Sequence, residues 1–449
     1  MRYLALTIAL ILLSCDRNGT DDLTLSGVQI IQKSGNEKYV NQAANVIFNQ
    51  DSFYSFYLEL PERSLAFLDA NPTAEEYVEG TLKFKDEIIS PVGIRYKGSI
   101  GAFVGSVSGE NWTNPSGYKT ATKLSTKIKI NWLDNHKTFY GLKKLQLHSQ
   151  NLDPSQMHER LAYWLYRQMG VIAPRSVHAK LYINNIFQGV YALTEQIDDQ
   201  FIKANFNDHN GNLYKETWPL KSDGTAMDEN SLKNALKTNQ SDGDVSRMKS
   251  FAQQIIDSDD NNLSTVVAQS MDTSQIVAYT IVDRMIKNDD GAFHWYCFFQ
   301  ECAPHNFYWY ENTNGEFTLI PWDMDNAFEN INNNTNPVTL IADELGEQSN
   351  NCSPFPYGEA GLSQKSAACD KLTLSWTKFT ALKNNLKETF INGPFSGAEI
   401  EEKLQTWSHQ IESATAQASQ SHKDAISLDD WHNAVEDLRL KIDFARDNY

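Results

Sequence analysis

The chain has 449 residues, 41% of them hydrophobic and 21% charged, enough to bury a sizeable core and too much to leave it wholly disordered. Lys and Arg total 39 against 57 Asp and Glu, a net charge of −18. That balance excludes a general nucleic-acid binder, which needs a basic face to displace counterions.

Met1 and Arg2 precede an apolar run over residues 3–13, then Ser14 and Cys15. The run is too short to span a bilayer. Its charged start, apolar core and closing small residue are those of a secretory signal. Leu12-Leu13-Ser14-Cys15 resembles the bacterial lipobox. Residues 1–14 are therefore expected to be a cleaved lipoprotein signal peptide. Cys15 is expected to carry a lipid that anchors an exported chain to a membrane, and residues 15–45 to form a tether and leading segment. Four cysteines remain: Cys297, Cys302, Cys352 and Cys369. An even number in an exported chain predicts two disulfides. Three connectivities are open, with the sequence-local pairs Cys297–Cys302 and Cys352–Cys369 preferred. The spacing does not suit zinc.

Alternating residues at 53–60, 81–84 and 92–97 predict strands. Residues 98–119, rich in Gly, Ser and Asn, predict a long loop, and 125–131 a further strand. Leu161, Trp164, Leu165 and Met169 share a helical face over 154–169, with Gly170 as the stop. Strands at 179–183 and 187–193 flank Asn184-Asn185, a hairpin signal. Helical periods recur at 248–257, 274–286, 373–390, 398–414 and 428–446. Between them an aromatic hairpin, 307–310 and 317–320, turns through Asn314-Gly315. A sheet with one helix followed by a helical body predicts an α+β fold, with units at 46–197 and 198–449.

The chemistry concentrates after that hairpin, in Pro321-Trp322-Asp323-Met324-Asp325-Asn326. Residues two apart in a strand share a face, so Asp323 and Asp325 are expected to point the same way. Paired carboxylates suit Mg²⁺ or Mn²⁺; a solvated turn is the competing reading. Asn288-Asp289-Asp290-Gly291 is a second acidic group, alternatively a helix-ending turn closed by Gly291. Asn306 is either a third oxygen ligand or an edge-strand residue. Gly-x-Ser-x-Gly and His-Glu-x-x-His are absent from the sequence, which removes the common hydrolase signatures.

Several blocks, in order, resemble the CotH (spore coat protein H) kinase family of atypical protein kinases. They include Val92 through Ser99, Ser125 through Ile130, Met157 through Tyr163, Gly189 through Asp198, Asn288 through Gly291, His305 through Tyr308 and Ile320 through Asp325. The resemblance implies a bilobal kinase-like fold, with a sheet lobe bearing one helix and a mainly helical second lobe. It implies ATP with Mg²⁺ or Mn²⁺ as cofactors and phosphoryl transfer to Ser or Thr of an extracytoplasmic protein. Lys127 matches the phosphate-holding lysine, with Lys129 on the same face, and Glu159 is its expected ion-pair partner. Gly98 and the loop after it would cover the nucleotide, Arg95 would reach a phosphate, and Glu195 to Ile197 would border the adenine. Asp290 matches the catalytic aspartate, and Asp323 with Asn306 or Asp325 would hold the metal. Three departures stand out. The family's Arg-Gly-x-Ser is here Lys97-Gly98-Ser99, the loop after Gly98 is long for a phosphate loop, and residues 293–304 look inserted, leaving Asn306 sixteen positions after Asp290. The alternatives are a pseudokinase or a surface module, the latter with Trp295, Tyr296, Tyr308, Trp309 and Tyr310 as a glycan platform, although as aromatic strand residues they are expected first as the core of the hairpin.

Overall fold

The computed structural model describes residues 22–25, 28–31 and 43–448, apart from 99, 104, 110, 112–113, 289, 299–300, 330–351 and 358–361. Cys15, the signal segment, Ser99 and Asp289 lie outside the described residues. The fold is α+β, as the element pattern predicts.

Seven strands close into a barrel: β1 (Tyr54–Glu59), β2 (Val78–Phe84), β3 (Glu87–Tyr96), β4 (Thr126–Lys129), β5 (Lys144–His148), β6 (Ser176–Ile183) and β7 (Ile186–Thr194). Neighbours pair antiparallel in the order β1-β2-β3-β4-β5-β7-β6. Parallel pairing of β1 with β6, Tyr54 opposite Ala179, closes the ring. Alternation selects the faces. Ile94, Tyr96, Ile128, Leu145 and Leu147 are buried in the barrel core. Arg95, Lys97, Lys127 and His148, offset by one, belong to the opposite face. The β6–β7 turn places Asn184 and Asn185 at φ 48° and 65°, the left-handed pair a two-residue hairpin requires.

Helix α1 (Glu62–Ala70) packs beside the barrel and was not expected. Helix α2 (His158–Gln168) is the anticipated one and is almost wholly buried. It shares one continuous core with the later helices α3 (Ser246–Asp257), α4 (Leu263–Ser270), α5 (Thr273–Met285), α6 (Lys371–Trp376), α7 (Thr380–Asn392), α8 (Gly397–Ser421) and α9 (Leu428–Asn448). Asp272 caps α5, accepting from the N–H groups of Ser274 and Gln275. Ser396 caps α8 from the N–H of Glu399, a Ser-x-x-Glu start. The single helix expected over 373–390 is two, parted at residues 377–379.

The C-terminal helices do not form a separate body. Gln410 accepts from Arg160 of α2 at 2.7 Å, the Trp431 indole donates to Ser155 O, and Asp424 accepts from Thr122. The large core therefore runs across the boundary expected near Ile197. Among the described residues no helix is long and apolar enough to cross a membrane.

Strands β8 (Asn212–Lys215), β11 (Phe307–Glu311) and β12 (Phe317–Pro321) form one sheet. A second sheet joins β9 (His294–Phe298), β10 (Glu301–Pro304), β13 (Phe355–Tyr357) and β14 (Leu362–Ser366). Disulfides link Cys297 to Cys302 and Cys352 to Cys369, the sequence-local pairing. Trp295, Tyr308, Trp309 and Tyr310 are buried. Four of the five aromatics are thus core side chains, the reading favoured over a platform, packed edge-on against Trp218 or Trp322 or tilted against Phe206.

Candidate functional site

A cleft of ≈ 460 Å³ lies between the barrel and the β12 end of the helical part. Lys97, Gly98, His148, Glu159, Asp290, Asp323, Asp325, Asn326 and Glu329 line it. Lys97 and Gly98 follow directly on β3, His148 ends β5, and Glu159 begins α2. Asp290 stands in the loop after α5, and Asp323 and Asp325 follow β12.

The acidic wall forms differently from the strand alternation expected. Strand β12 stops at Pro321. Asp323 then takes φ 56°, a left-handed conformation that Asp tolerates better than most residues. Its N–H donates to Tyr163 Oη at 3.0 Å, while the fully buried Met324 anchors the loop in the core. The carbonyl of Asp325 lies 3.1 Å from His158 Nδ1. Two residues of α2 thus hold the loop by its backbone, leaving both carboxylates on the cleft.

Asp290 is half-buried. Asn306 reaches it in spite of the intervening hairpin, donating from Nδ2 to Asp290 O at 2.8 Å and to Oδ2 at 2.9 Å. Burial first, then the Asp323 charge, pushes the Asp290 carboxyl up to about 7. Asp325 lies well above the usual range, through burial and then Asp323, Glu159, Asp290 and Glu329. The loop bearing Asp290 rests on a buried network. Asp283 accepts from Tyr166 at 2.9 Å, from Arg284 and from Asn288. Gly291 does not close the helix, whose left-handed exit is Lys287 at φ 45°. A Cβ on Gly291 would instead meet Asn288 Nδ2 at 2.2 Å.

The basic wall corrects an expectation. Lys127 and Glu159 do not form an ion pair. Glu159 instead takes His148 Nδ1 at 2.7 Å, and His148 Nε2 lies 2.6 Å from Lys97 Nζ. With the ammonium donating, His148 must carry its proton on Nδ1 and pass it toward Glu159. The lysine tethered to α2 is therefore Lys97, through an interposed imidazole. Burial lowers the Lys97 pKa, opposed by Asp323 and Glu159. Lys127 stands one strand over, opposite Arg95. Burial and then Lys97, Lys144 and Arg95 bring it down to about 7. Arg95 itself is paired with Glu75 at 2.8 Å, at the outer edge of this basic group.

Gly98 is required by space, since a Cβ there would fall 2.4 Å from the Cβ of Ala102. The segment after it is not an open loop. It holds a short helix, Ile100–Phe103, and a ribbon of Val107–Gly109 with Ser116–Lys119, and Ala102 closes one side of the cleft.

Glu195 and Ile197 are not among the cleft residues. Glu195 accepts from Arg175 Nε at 2.9 Å and from its Nη2, both side chains being almost fully buried. Ile197 packs with Tyr308, Ile320 and Trp322 behind the acidic loop. Removing one partner of a buried ion pair strands the other charge. Glu195→Ala is expected to destabilise the fold by ~3–5 kcal/mol in urea denaturation; a loss under ~1 kcal/mol would show that the pair contributes little.

The carboxylates, with the Asn306 Oδ1, are a hard-oxygen donor set of the kind Mg²⁺ and Mn²⁺ take, and a cation would relieve their mutual repulsion. Among the described residues no group of three or more His, Cys, Asp or Glu side chains is arranged to hold a metal ion unaided. The set fits a cation that takes further ligands from phosphate and water, as Mg²⁺ ordinarily does.

The family model described as CotH kinase protein matches residues 94–448, well over half of the chain. The chain belongs to the CotH kinase family. It is 22% identical over 199 residues to the inner spore coat protein H of Bacillus subtilis (strain 168), across 42% of this chain and 51% of that protein. The match thus spans about half the length of that curated relative. In this CotH-family chain the acidic residues read from sequence, Asp290, Asp323 and Asp325, share one cleft, with Asn306 hydrogen-bonded to Asp290 at its edge and Glu159 on the facing wall. His148 and Glu329 were not anticipated, and Tyr163 and Asn326 lay within segments already singled out but without an expected role. His148 stands two residues after Gln146 on an alternating strand, a signal that was present but had no visible partner. Lys97 drew notice only as a departure from arginine.

Proposed function

We propose that this chain catalyses ATP-dependent phosphoryl transfer to a Ser or Thr hydroxyl of a protein. One observation carries the reading: a lysine tethered to a helix glutamate faces Asp290 and the Asp323–Asp325 pair across a single cleft. Phosphoryl transfer asks chiefly for positioning and charge neutralisation, and these residues supply both.

Lys97 is set to hold nucleotide phosphate oxygens, and the His148–Glu159 relay fixes its direction. Lys127 and Arg95 are not among the cleft-lining residues, but they add positive charge near Lys97. Asp323 and Asp325, with Asn306, would hold Mg²⁺ or Mn²⁺, which when bound offsets phosphate charge. The acceptor oxygen forms its bond to the γ-phosphorus as the bond to the β-phosphate oxygen breaks, and ADP leaves. The acceptor's proton passes to Asp290, whose carboxyl is held above the ordinary range in the metal-free chain by burial and then by Asp323, so that it can take a proton as a general base.

The same proposal places the chain outside the cytoplasm, anchored through a lipid on Cys15, with a protein substrate and no nucleic-acid partner. The test is calorimetric titration of the purified chain with ATP in the presence of Mn²⁺ or Mg²⁺, beside transfer from γ-labelled ATP to casein and to the chain itself. Saturable metal-dependent binding with label on Ser or Thr is expected. Binding of neither metal nor nucleotide would overturn the proposal.

A further inference from the structure

A second cavity, of ≈ 120 Å³, lies where β9, β14, α6 and the loop carrying Lys221 meet. None of its lining residues belongs to the acidic cleft, and the reaction outlined above gives it no part. At ~30 Å³ per water it has the room of about four waters. That is enough for one tetrahedral oxyanion and well below the ~300 Å³ at which pockets for drug-sized ligands begin.

In a chain of net charge −18, this lining is cationic. Lys221, Lys365 and Lys371 share it with a single carboxylate, Asp370, so three positive charges stand against one negative. Asp370 is engaged elsewhere: its Oδ2 accepts from the Trp218 indole at 3.1 Å and from the N–H and hydroxyl of Thr373 at 2.8 Å each. Asp228, beyond the lining, stands 3.7 Å from Lys221. The other two lysines are held by carbonyls. Lys371 donates to Ile256 O at 2.9 Å and to Ser258 O at 2.5 Å, at the end of α3. Lys365 donates to Ser222 O. An ammonium carries three donors, so Lys371 keeps one unspent and Lys365 keeps two. Carbonyls orient these charges without neutralising them.

Trp295 adds a neutral donor. It also lines the cavity, and it stands directly opposite Lys365 in the β9–β14 pairing, so the two side chains share a face of the sheet. Trp295 is 2% exposed, and its Nε1 has no hydrogen-bond partner among the described residues. A buried indole N–H ordinarily has one, and a buried donor left unsatisfied is costly.

We infer that this cavity is a binding site for a phosphate group, taken by the ammoniums of Lys365 and Lys371, with Lys221 at the rim and the Trp295 indole as a further donor. A phosphate group carries close to two negative charges at neutral pH and three or more acceptor oxygens, which matches two uncompensated cations; a carboxylate brings one charge and two oxygens. Lysine serves phosphate as a point charge. The group comes either as free orthophosphate or on a phosphorylated Ser or Thr side chain entering past the exposed Lys221 and Gly224. The inference does not rest on the proposed transfer reaction.

The experiment is calorimetric titration of the full chain, without nucleotide or metal, with sodium orthophosphate, with acetate, and with a phosphoserine peptide beside its unphosphorylated twin. Saturable phosphate binding is expected, with acetate weaker by about tenfold or more. Lys365→Met and Lys371→Met should each weaken phosphate by about tenfold, while Lys365→Arg, which keeps the charge, should stay within about threefold. Lys97→Met should leave phosphate affinity within about twofold; a loss there that the Lys365 and Lys371 variants do not share puts the anion in the acidic cleft and overturns the inference. A wild type that binds no phosphate overturns it too, as do methionine variants within about twofold of wild type or an arginine at 365 no better than methionine. Binding of the phosphopeptide but not its twin names a phosphorylated side chain as the source, and binding of orthophosphate alone names the free ion. If a methionine variant does not fold, wild-type crystals soaked in phosphate decide: a tetrahedral anion on Lys365 and Lys371 is expected, and an anion found only elsewhere overturns the inference. A chain that transfers no phosphate from ATP would defeat the proposed function and leave this titration unaffected.

Discussion

Asp290→Asn is expected to lower phosphoryl transfer by ~10²–10⁴-fold and at the same time to raise the melting temperature of the metal-free chain at pH 8. The first effect removes the proton acceptor. The second follows from linkage. In the unfolded chain the carboxyl titrates near its ordinary value of 3.8; in the fold, burial and Asp323 move it up to about 7. The folded state therefore holds this proton more tightly. Stability attributable to the group falls as pH rises from about 4 through 7, and is level above that. The whole window is worth about 4 kcal/mol, part of which the variant loses through weaker bonds to Asn306 and Asn326. A net gain of ~1–2 kcal/mol at pH 8, vanishing near pH 4.5, is the expected outcome. Mg²⁺ should narrow the gap, because a ligand that binds only the folded wild-type site stabilises it by mass action. Calorimetric melts at the two pH values, with and without Mg²⁺, read all of this. A variant that is less stable at pH 8 than at pH 4.5 relative to wild type would contradict the assigned electrostatics, and undiminished transfer would remove Asp290 from the chemistry.

A site that destabilises its own fold is a common mark of function, and it bears on what could be read in the sequence. The elements governed by neighbours along the chain were legible. Asn184-Asn185 names its turn, the aromatic alternation at 307–310 names a strand, and the helical periods lie within a few residues of α3, α5, α8 and α9. The acidic residues were legible as types, because Asp323, Asp325 and Asp290 follow a strand or a helix with no apolar task to perform. What escaped depends on distance. Barrel closure pairs Tyr54 with Ala179, and no local pattern announces it. The exchange of Lys127 for Lys97 beside Glu159 depends on His148, whose partners lie 51 residues before it and 11 after it. Helix α1 was missed despite Pro61 at its start and Glu62 in its first turn, a signal that was there to use. Asp323 and Asp325 reach one cleft for a reason other than the one expected: a left-handed turn pinned by Tyr163 and His158, not continued strand alternation.

The two lysines can be separated by experiment. Lys97→Met is expected to reduce transfer by ~10²–10³-fold, whereas Lys127→Met should weaken metal-bound ATP by about tenfold or less and leave more of the turnover. The distinction rests on their surroundings. Lys97 lies between the acidic loop and α2, with Asp323 and Glu159 as its nearest opposing charges, and its ammonium also stands 5.4 Å over the Trp322 ring. Its position is therefore fixed in advance, and a preorganised charge acts on the transition state without reorganisation. Lys127 faces mainly other cations, Lys97, Lys144 and Arg95, so an arriving triphosphate relieves repulsion there and gains chiefly binding. Lys97→Met should accordingly depress kcat, and Lys127→Met should raise KM for ATP. A third variant, His148→Phe, cuts the relay while keeping an aromatic ring against Trp322, which His148 meets edge-on at 5.8 Å. It should reproduce the Lys97→Met loss in kcat in part, because the ammonium remains but its tether to Glu159 is gone. If Lys127→Met proves the more damaging to kcat and His148→Phe is silent, the phosphate-holding role returns to Lys127, and the Lys97–His148–Glu159 chain is left as an internal brace between the barrel and α2.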